Sequence, residues 1–592
     1  MSELRPSEIY KGARILMLGG TGFLGKVALS LLLTRFPQVG RIYLMVRASS
    51  REDSESRFWD VVIKAPPFDP LRREHGKMLD EFLREKLVIV TGDVTSENLG
   101  FSEEQAEQIA SDIDVFLNCS GRVMFNPPLE NALKTNVTGT VNTIEFARRM
   151  KRPALVHVST CFVAGNRSGE IWENEPIVGY FPRKGEPEVP DFSVEAEIKD
   201  CNRLSARVRD EAKDKYLADQ FREAAKQRFL DEGRDPDDEK GLRIAIASER
   251  KNWIRSRLTE LGIEKANWWG WPNIYCYTKS LGEQVVAAND DVVQTIIRPA
   301  IVESSVEFPF PGWNEGLTTT APLVNLALKG QNLFPVRDDL ILDVIPVDQV
   351  AAATLAITAQ TMVEQPALVY QLSTGDTNPV KLGRLVTLLG LYKRKYFKNK
   401  SGGNKLVNEI ASRMEAQSVS PDSFEKFSLP MLHGATKKVT ELLDKVPPTR
   451  LGPFSGWAEQ VRDAVDRFER FTKKGEDDYH TFRPFIVDNR YVFRGDNVRG
   501  LYERIDEKDK ALIPWAPESI DWYDYWLNIH LPGLRKWVFP RLDEGDKPKP
   551  RRIYTYGSLV ELFEAATKNH SGRIAMRIER NNRCLLYTSD AA

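Results

Sequence analysis

A tyrosine and a lysine four residues apart, in Tyr275-Cys-Tyr-Thr-Lys279, are placed to move a proton. They open a helix that runs on from Ser280 to Ala288. Positions i and i+4 share one helix face. An ammonium beside a phenol favours the phenolate, so the pair predicts a lowered tyrosine pKa. Tyr275 could then exchange a proton with a substrate oxygen near neutral pH. Tyr277 falls on another face and reads as packing. Ser159-Thr160, closing the apolar run Ala154-Leu-Val-His-Val158, supplies two further candidate hydroxyls.

These side chains need a scaffold, and residues 14–160 provide one by alternating strand and helix. Strands are predicted at Ile15–Leu18, Arg41–Arg47, Lys86–Asp93, Asp114–Gly121 and Ala154–Thr160. Continuous apolar strands between helical segments indicate a parallel sheet covered on both faces. The fold class is therefore α/β, a doubly wound Rossmann-type sheet. The first strand stops on Gly19, Gly20, Gly22 and Gly25, and a helical pattern from Lys26 to Leu33 follows. Such a turn, here Gly19, Thr21, Gly22, Phe23, Leu24 and Gly25, lets backbone N–H groups and a helix N-terminus approach a pyrophosphate. A side chain at Gly19 or Gly22 would hold the phosphates away, and Gly25 lets the helix sit close on the strand.

The second strand ends on Arg47 rather than on an acid. In this fold an acid there selects NAD, whereas an arginine accommodates the 2′-phosphate of NADP, so NADPH is expected. Asp93, with Val94 after it, ends the third strand where the adenine edge would lie. Asn118 to Gly121, including Ser120 and Gly121, ends the fourth strand under the cofactor. One or two extra helices are expected between Arg51 and Arg84.

This constellation resembles the extended short-chain dehydrogenase/reductase superfamily, through Gly19, Gly22, Gly25, Tyr275 and Lys279. The resemblance implies that Thr160 takes the place of the catalytic Ser/Thr, with Ser159 as the fallback. It makes Asn136, in Lys134-Thr-Asn-Val-Thr-Gly139, the helix asparagine supporting a proton-relay water. It also places Pro299 near the nicotinamide and Lys279 on the nicotinamide ribose. The wording Gly19-Gly-Thr-Gly-Phe-Leu-Gly-Lys26, Tyr43-Leu-Met-Val-Arg47, His157-Val-Ser-Thr160 and Pro309-Phe-Pro-Gly-Trp313 is similar to alcohol-forming fatty acyl-CoA reductases. That family implies reduction of long-chain fatty acyl-CoA by NADPH to a primary alcohol through an aldehyde, in lipid or wax-ester metabolism. Reduction that stops at the aldehyde, an extended short-chain enzyme acting on a sterol or nucleotide-sugar, and a cofactor-sensing scaffold are the alternatives.

The remaining chain sets boundaries. At 592 residues it holds roughly three to four domains' worth of sequence. Its net charge of −1 implies no general polyanion-binding role, and no nucleic-acid partner is expected. Cys119, Cys161, Cys201, Cys276 and Cys584 lack CxxC spacing and the histidines are dispersed, so neither a metal site nor a disulfide framework is expected. No apolar leader or spanning run is present, and a reducing cytoplasm fits best.

The reductase domain is assigned to 1–380, with a helical insertion at about 181–268. In it, apolar positions from Val194 to Leu230 and again from Ile244 to Leu261 read as an amphipathic helical pair packed on the reductase. A cap over the acyl site or a peripheral membrane contact is the sharper reading. Trp268-Trp-Gly-Trp271 is expected to wall the substrate cleft. Residues 381–545 form a C-terminal helical domain with a basic run, Lys393 to Lys400. Residues 546–583 read as a linker and the start of an adenylate-forming, acyl-activating domain. Residues 584–592 resemble a translated sequencing adapter, so a fused domain is expected to have been lost by truncation.

Overall fold

Seven largely apolar runs become the strands of one parallel sheet: β1 (Arg14–Leu18), β2 (Arg41–Val46), β3 (Leu87–Thr91), β4 (Val115–Asn118), β5 (Ala154–Val158), β7 (Val293–Pro299) and β11 (Val369–Leu372). The smaller strands are β6 (Gly169–Ile171), β8 (Ile301–Glu303), β9 (Leu333–Pro335), β10 (Val344–Pro346), β12 (Gln417–Val419) and β13 (Tyr491–Phe493). The computed structural model of the chain describes residues 3–236, 238–399, 409, 413, 415–424, 473, 475–546, 574–580 and 583–588. Met1–Phe539 is one compact unit and Pro540–Ala592 another. In the second, Ile574–Arg580 pairs antiparallel with Arg583–Thr588. The Thr555–Ala566 stretch and residues 589–592 lie outside the described residues.

The main sheet runs β11-β7-β5-β4-β1-β2-β3. Its order reverses between β1 and β4, and in an open parallel sheet the crevice beyond such a reversal receives the ligand. The glycine turn closes against it. Gly19 has φ +78°, and a Cβ there would stand 2.5 Å from the Cys119 carbonyl carbon at the end of β4. A Cβ on Gly25 would stand 2.1 Å from the Gly19 carbonyl oxygen. Helix α1 (Phe23–Arg35) can leave the turn this steeply only because both positions lack side chains.

Between β2 and β3 the chain forms helices at Arg51–Ser56, continuing to Val62, at Asp69–His75 and at Leu79–Lys86. Pro66-Pro67 and Gly76 divide this stretch more finely than the expected one or two helices.

The insertion holds three helices rather than a pair: α2 (Val194–Glu211), α3 (Lys215–Asp231) and α4 (Glu239–Trp269). The apolar stripe runs through the first break, but the Asp214 carboxylate accepts the Tyr216 N–H at 2.8 Å and starts a new helix. Ala225 and Phe229 of α3 pack on Leu242 and Ala245 of α4. The next helix, α5 (Ile274–Ala287), carries the Tyr–Lys pair. Buried Glu197 of α2 binds the insertion to it by accepting from the Tyr277 hydroxyl, and it also accepts the Trp269 indole N–H at 2.9 Å.

Beyond β8 come α6 (Ala321–Lys329), α7 (Val347–Val363) and α8 (Leu382–Asn399). Within the run Lys393–Lys400, Lys395 and Lys398 are exposed, but the first two positions are engaged. Lys393 is buried and bonded to Asn332, and Arg394 pairs with Glu415, because Lys393 falls on the stripe that α8 packs inward. Lys400 lies outside the described residues. The C-terminal part of the unit is tied back to the sheet. β13 pairs in parallel with β6, and buried Glu173 accepts the N–H groups of Gln371 and Asn497 at 2.6 and 2.7 Å. Among the described residues no helix is long and apolar enough to cross a membrane.

Candidate active site

Helix α5 starts where it does because the Asn273 side chain accepts the Cys276 N–H at 2.8 Å. That cap sets Tyr275 and Lys279 on the wall of a cavity of about 580 Å³ at the carboxyl ends of β1, β4, β5 and β7. Lys279 is 3% exposed, and its ammonium donates to the Val158 carbonyl at 2.7 Å. Thr160, just past β5, caps a short turn by accepting the Phe162 N–H at 3.3 Å. Its hydroxyl also reaches the Pro299 carbonyl at 3.4 Å. One turn below Lys279, Glu283 forms a buried ion pair with Arg298 of β7 at 2.6 Å. This pair fixes the helix to the sheet under the site.

The expected lowering of the Tyr275 pKa is not what this arrangement produces. Burial pushes the phenol up, the Cys276 thiol adds to that, and the facing Thr160 hydroxyl only partly opposes it. The Lys279 ammonium is held on the Val158 carbonyl instead of against the phenol. Lys279 itself is pushed down to about 8 by burial, with Glu283 and Cys119 acting against the shift. A phenol that stays protonated through neutral pH is a proton donor, and that is the form a carbonyl reduction needs.

The cavity brings together Gly19, Gly22, Phe23, Leu24, Gly25, Ser120, Gly121, Thr160, Tyr275, Lys279 and Pro299, with Ser159 beside them. Thr21, Arg47, Asp93, Val94 and Asn136 are outside its lining. Arg47 and Asp93 pair with each other at 3.0 Å, with the arginine largely exposed. Val94 is packing: a Cβ on Gly139 would come within 3.1 Å of it. Asn136 is a brace, accepting the Arg122 N–H at 2.9 Å and donating to the Thr278 hydroxyl at 3.0 Å.

Trp268-Trp-Gly-Trp271 does not wall the cleft. Gly270, at φ +98°, ends α4 and turns the chain, so Trp271 is buried with its indole N–H on the Val163 carbonyl at 2.8 Å. Trp269 packs edge-on to Phe181 and Phe192, and Trp268 is exposed.

The other walls come from segments the sequence did not mark as site. The loop Glu315–Thr320 faces the glycine turn. It is held there by the Lys26–Glu315 ion pair at 2.6 Å and by Trp313 against Phe23. Leu382, Leu385, Val386 and Leu389 of α8, Phe334, Phe482, Phe485 and Trp526 complete an apolar chamber. The α8 residues follow i, i+3, i+4, i+7 spacing, a signal visible in the sequence but shared by any core-facing helix.

A nicotinamide dinucleotide fits this chemistry. No side chain caps α1 at Gly22, which leaves first-turn amides as donors at the cavity wall. A Cβ on Gly121 would sit 3.8 Å from both the Lys279 ammonium and the Asn136 side-chain oxygen, in space a ligand can use.

Comparison with known proteins agrees. Residues 17–354 match the family model for the male sterility protein, an NAD-binding domain. The chain is 29% identical to chloroplastic fatty acyl-CoA reductase 2 of Arabidopsis thaliana, over 89% of this chain and 78% of that one. It is 28% identical to the alcohol-forming fatty acyl-CoA reductase of Simmondsia chinensis, over 89% and 97%. In fold it is similar to the terminal R domain of the myxalamid PKS-NRPS pathway, with a TM-score of 0.51, 16% identity, and 91% and 92% coverage. The relatives are reductases and the matched domain binds a nicotinamide cofactor, so this chain is an oxidoreductase that uses one. By the span of that match the chain belongs to the male sterility protein family, and over most of its length it is similar to fatty acyl-CoA reductases.

Proposed function

We propose that the protein reduces a long-chain fatty acyl-CoA with NADPH to the primary alcohol through the aldehyde, in lipid or wax-ester metabolism. The observation that carries this reading is a single cavity with two unlike ends. Hydroxyl, phenol and ammonium stand beside the glycine turn, and an apolar chamber built on α8 lies beyond them. The reading gives the reduction chemistry to 1–380 and much of the acyl chamber to 381–545.

The bound nicotinamide cofactor supplies the hydride, once for the aldehyde and again for the alcohol. Thr160 and Tyr275 hold the thioester oxygen as it gains negative charge. Tyr275 gives that oxygen its proton, and Lys279, held on the Val158 carbonyl, adds a positive charge to the cavity wall. The resulting hemithioacetal expels coenzyme A as the thiol and leaves the aldehyde. The first-turn amides of α1 hold the pyrophosphate, Lys279 the nicotinamide ribose, and Arg47 the 2′-phosphate. Asn136 is a positioning residue: it ties the loop after β4 to α5 through Thr278.

Incubation with NADPH and palmitoyl-CoA, followed at the nicotinamide absorbance with analysis of the lipid product, tests the reading. Hexadecanol with two cofactor equivalents consumed is the expected result. Hexadecanal accumulating with one equivalent would restrict the enzyme to the first step, and no oxidation at all would sink the reading.

Arg47→Ala is expected to weaken NADPH binding by about tenfold or more while changing NADH binding less than about twofold. Its partner Asp93 is partly exposed and keeps the Thr95 N–H and hydroxyl as donors, so the fold should be unaffected. Equal losses for both cofactors in a binding titration would mean that Arg47 does not meet the 2′-phosphate.

The pH profile follows from Lys279. Burial lowers its pKa to about 8, so the ammonium is complete below that value and is lost above it. The expected kcat/KM is flat through neutral pH and falls above about pH 8. A profile still rising at pH 9 would mean that the charged form is not the active one.

A further inference from the structure

Two buried donors, Trp526 in the lining of the apolar chamber and Lys393 one step further along α8, have too little to bond to. Leu382, Leu385, Val386 and Leu389 line it from α8, and Lys393 is the next residue on that helical face. Lys393 is 2% exposed, and its ammonium makes one bond, donated to the neutral Asn332 side-chain oxygen. Among the described residues it has no acidic partner. Asn332 directly precedes β9, whose Phe334 also lines the chamber. Helix α8 packs against the turn Tyr525–His530, which brings in Trp526. Trp526 lines the chamber and is 3% exposed, and its indole N–H has no hydrogen-bond partner. An ammonium and an N–H in apolar surroundings each cost free energy until an acceptor meets them. A hydrocarbon chain ending in a methyl group offers no acceptor.

We propose that the chamber takes acyl chains bearing an oxygen function at the far end, a hydroxyl or a carboxylate, met by Trp526 Nε1 and Lys393 Nζ. This deepens the acyl-thioester reading above and rests on it. The α8 leucines enclose the methylenes, and the terminal oxygen satisfies the two donors. An aldehyde or alcohol made from such a chain is bifunctional, so the reaction supplying the substrate is one that oxygenates the terminal carbon.

The test measures kcat/KM with NADPH for hexadecanoyl-CoA and for its terminal hydroxy and terminal carboxy analogues, in the wild type, Lys393→Met and Trp526→Phe. The wild type is expected to prefer an oxygenated chain by about tenfold. Lys393→Met should abolish a carboxylate preference, and Trp526→Phe a hydroxyl preference. The readout is a ratio between substrates, so a general loss of activity does not mimic it. Trp526→Phe keeps an aromatic ring in place and carries the test should Lys393→Met fail to fold. Equal turnover of the three chains by the wild type, or a preference untouched by both variants, would overturn the inference. If the wild type reduces none of the three, the acyl-thioester reading itself fails and takes this inference with it.

Discussion

Tyr275→Phe is expected to cut reduction of an acyl thioester by about 10²–10⁴-fold, the usual worth of a positioned proton donor. Cofactor binding should stay within about twofold. The phenylalanine ring keeps the packing of α5, since the hydroxyl faces Thr160 and the cavity rather than a structural partner. The loss should appear in kcat, because the phenol matters most once charge has built up on the carbonyl oxygen. Single-turnover measurement with saturating NADPH, beside a cofactor titration, separates the two effects. A variant turning over within about threefold of the wild type would remove Tyr275 from the mechanism. Loss of NADPH binding would make it a cofactor residue instead.

Glu283→Gln should give the largest loss of stability. Glu283 and Arg298 are 1% and 8% exposed, and the arginine makes a forked contact with the carboxylate at 2.6 to 3.1 Å. Removing the charge leaves a guanidinium buried without its counterion, which costs about 3–5 kcal/mol. Denaturant unfolding reads that cost directly. A second consequence is catalytic. Glu283 helps to keep the Lys279 ammonium charged. The alkaline fall in kcat/KM should therefore move to lower pH in any folded fraction. An unchanged alkaline limb would show that the pair only anchors α5. Replacing both partners by apolar residues of similar size should recover much of the stability but not the position of that limb.

The sheet and the glycine turn were legible because their signals are local. Strand composition, the break at Gly19 and the helix after Gly25 each need only a few neighbours to read. Tyr275 and Lys279 on one face followed from the helical repeat alone. The relation between them did not, since the repeat gives a shared face and no distances. Only the fold shows that the Val158 carbonyl takes the ammonium. The tryptophans at 268–271 failed for a similar reason. Gly270 turns the chain in the left-handed region, and that one residue decides whether Trp271 faces a cleft or the core.

The apolar chamber was the least legible part. Its walls come from α8, β9, residues 482–486 and Trp526, which are far apart in sequence. An apolar helical stripe facing a void looks the same in sequence as one facing a core. The burial of Lys393 was not legible for the related reason that one buried position in a charged segment does not stand out.

The parallel pairing of β13 with β6 has a consequence for how the protein is made. The last strand of the main sheet ends at Leu372, but Phe482, Phe485 and Trp526 emerge from the ribosome much later. At about 5–20 residues per second that interval lasts roughly ten to thirty seconds. Throughout it the cofactor half can already be folded while Leu382 to Leu389 have no cover. The nascent chain thus offers an open greasy trough, and β6 an unpaired edge, to any chaperone or fatty ligand nearby. The chamber is then enclosed only in the last steps of synthesis, and a chain clipped before Phe482 would keep the glycine turn and Tyr275 but lack the walls from Phe482, Phe485 and Trp526.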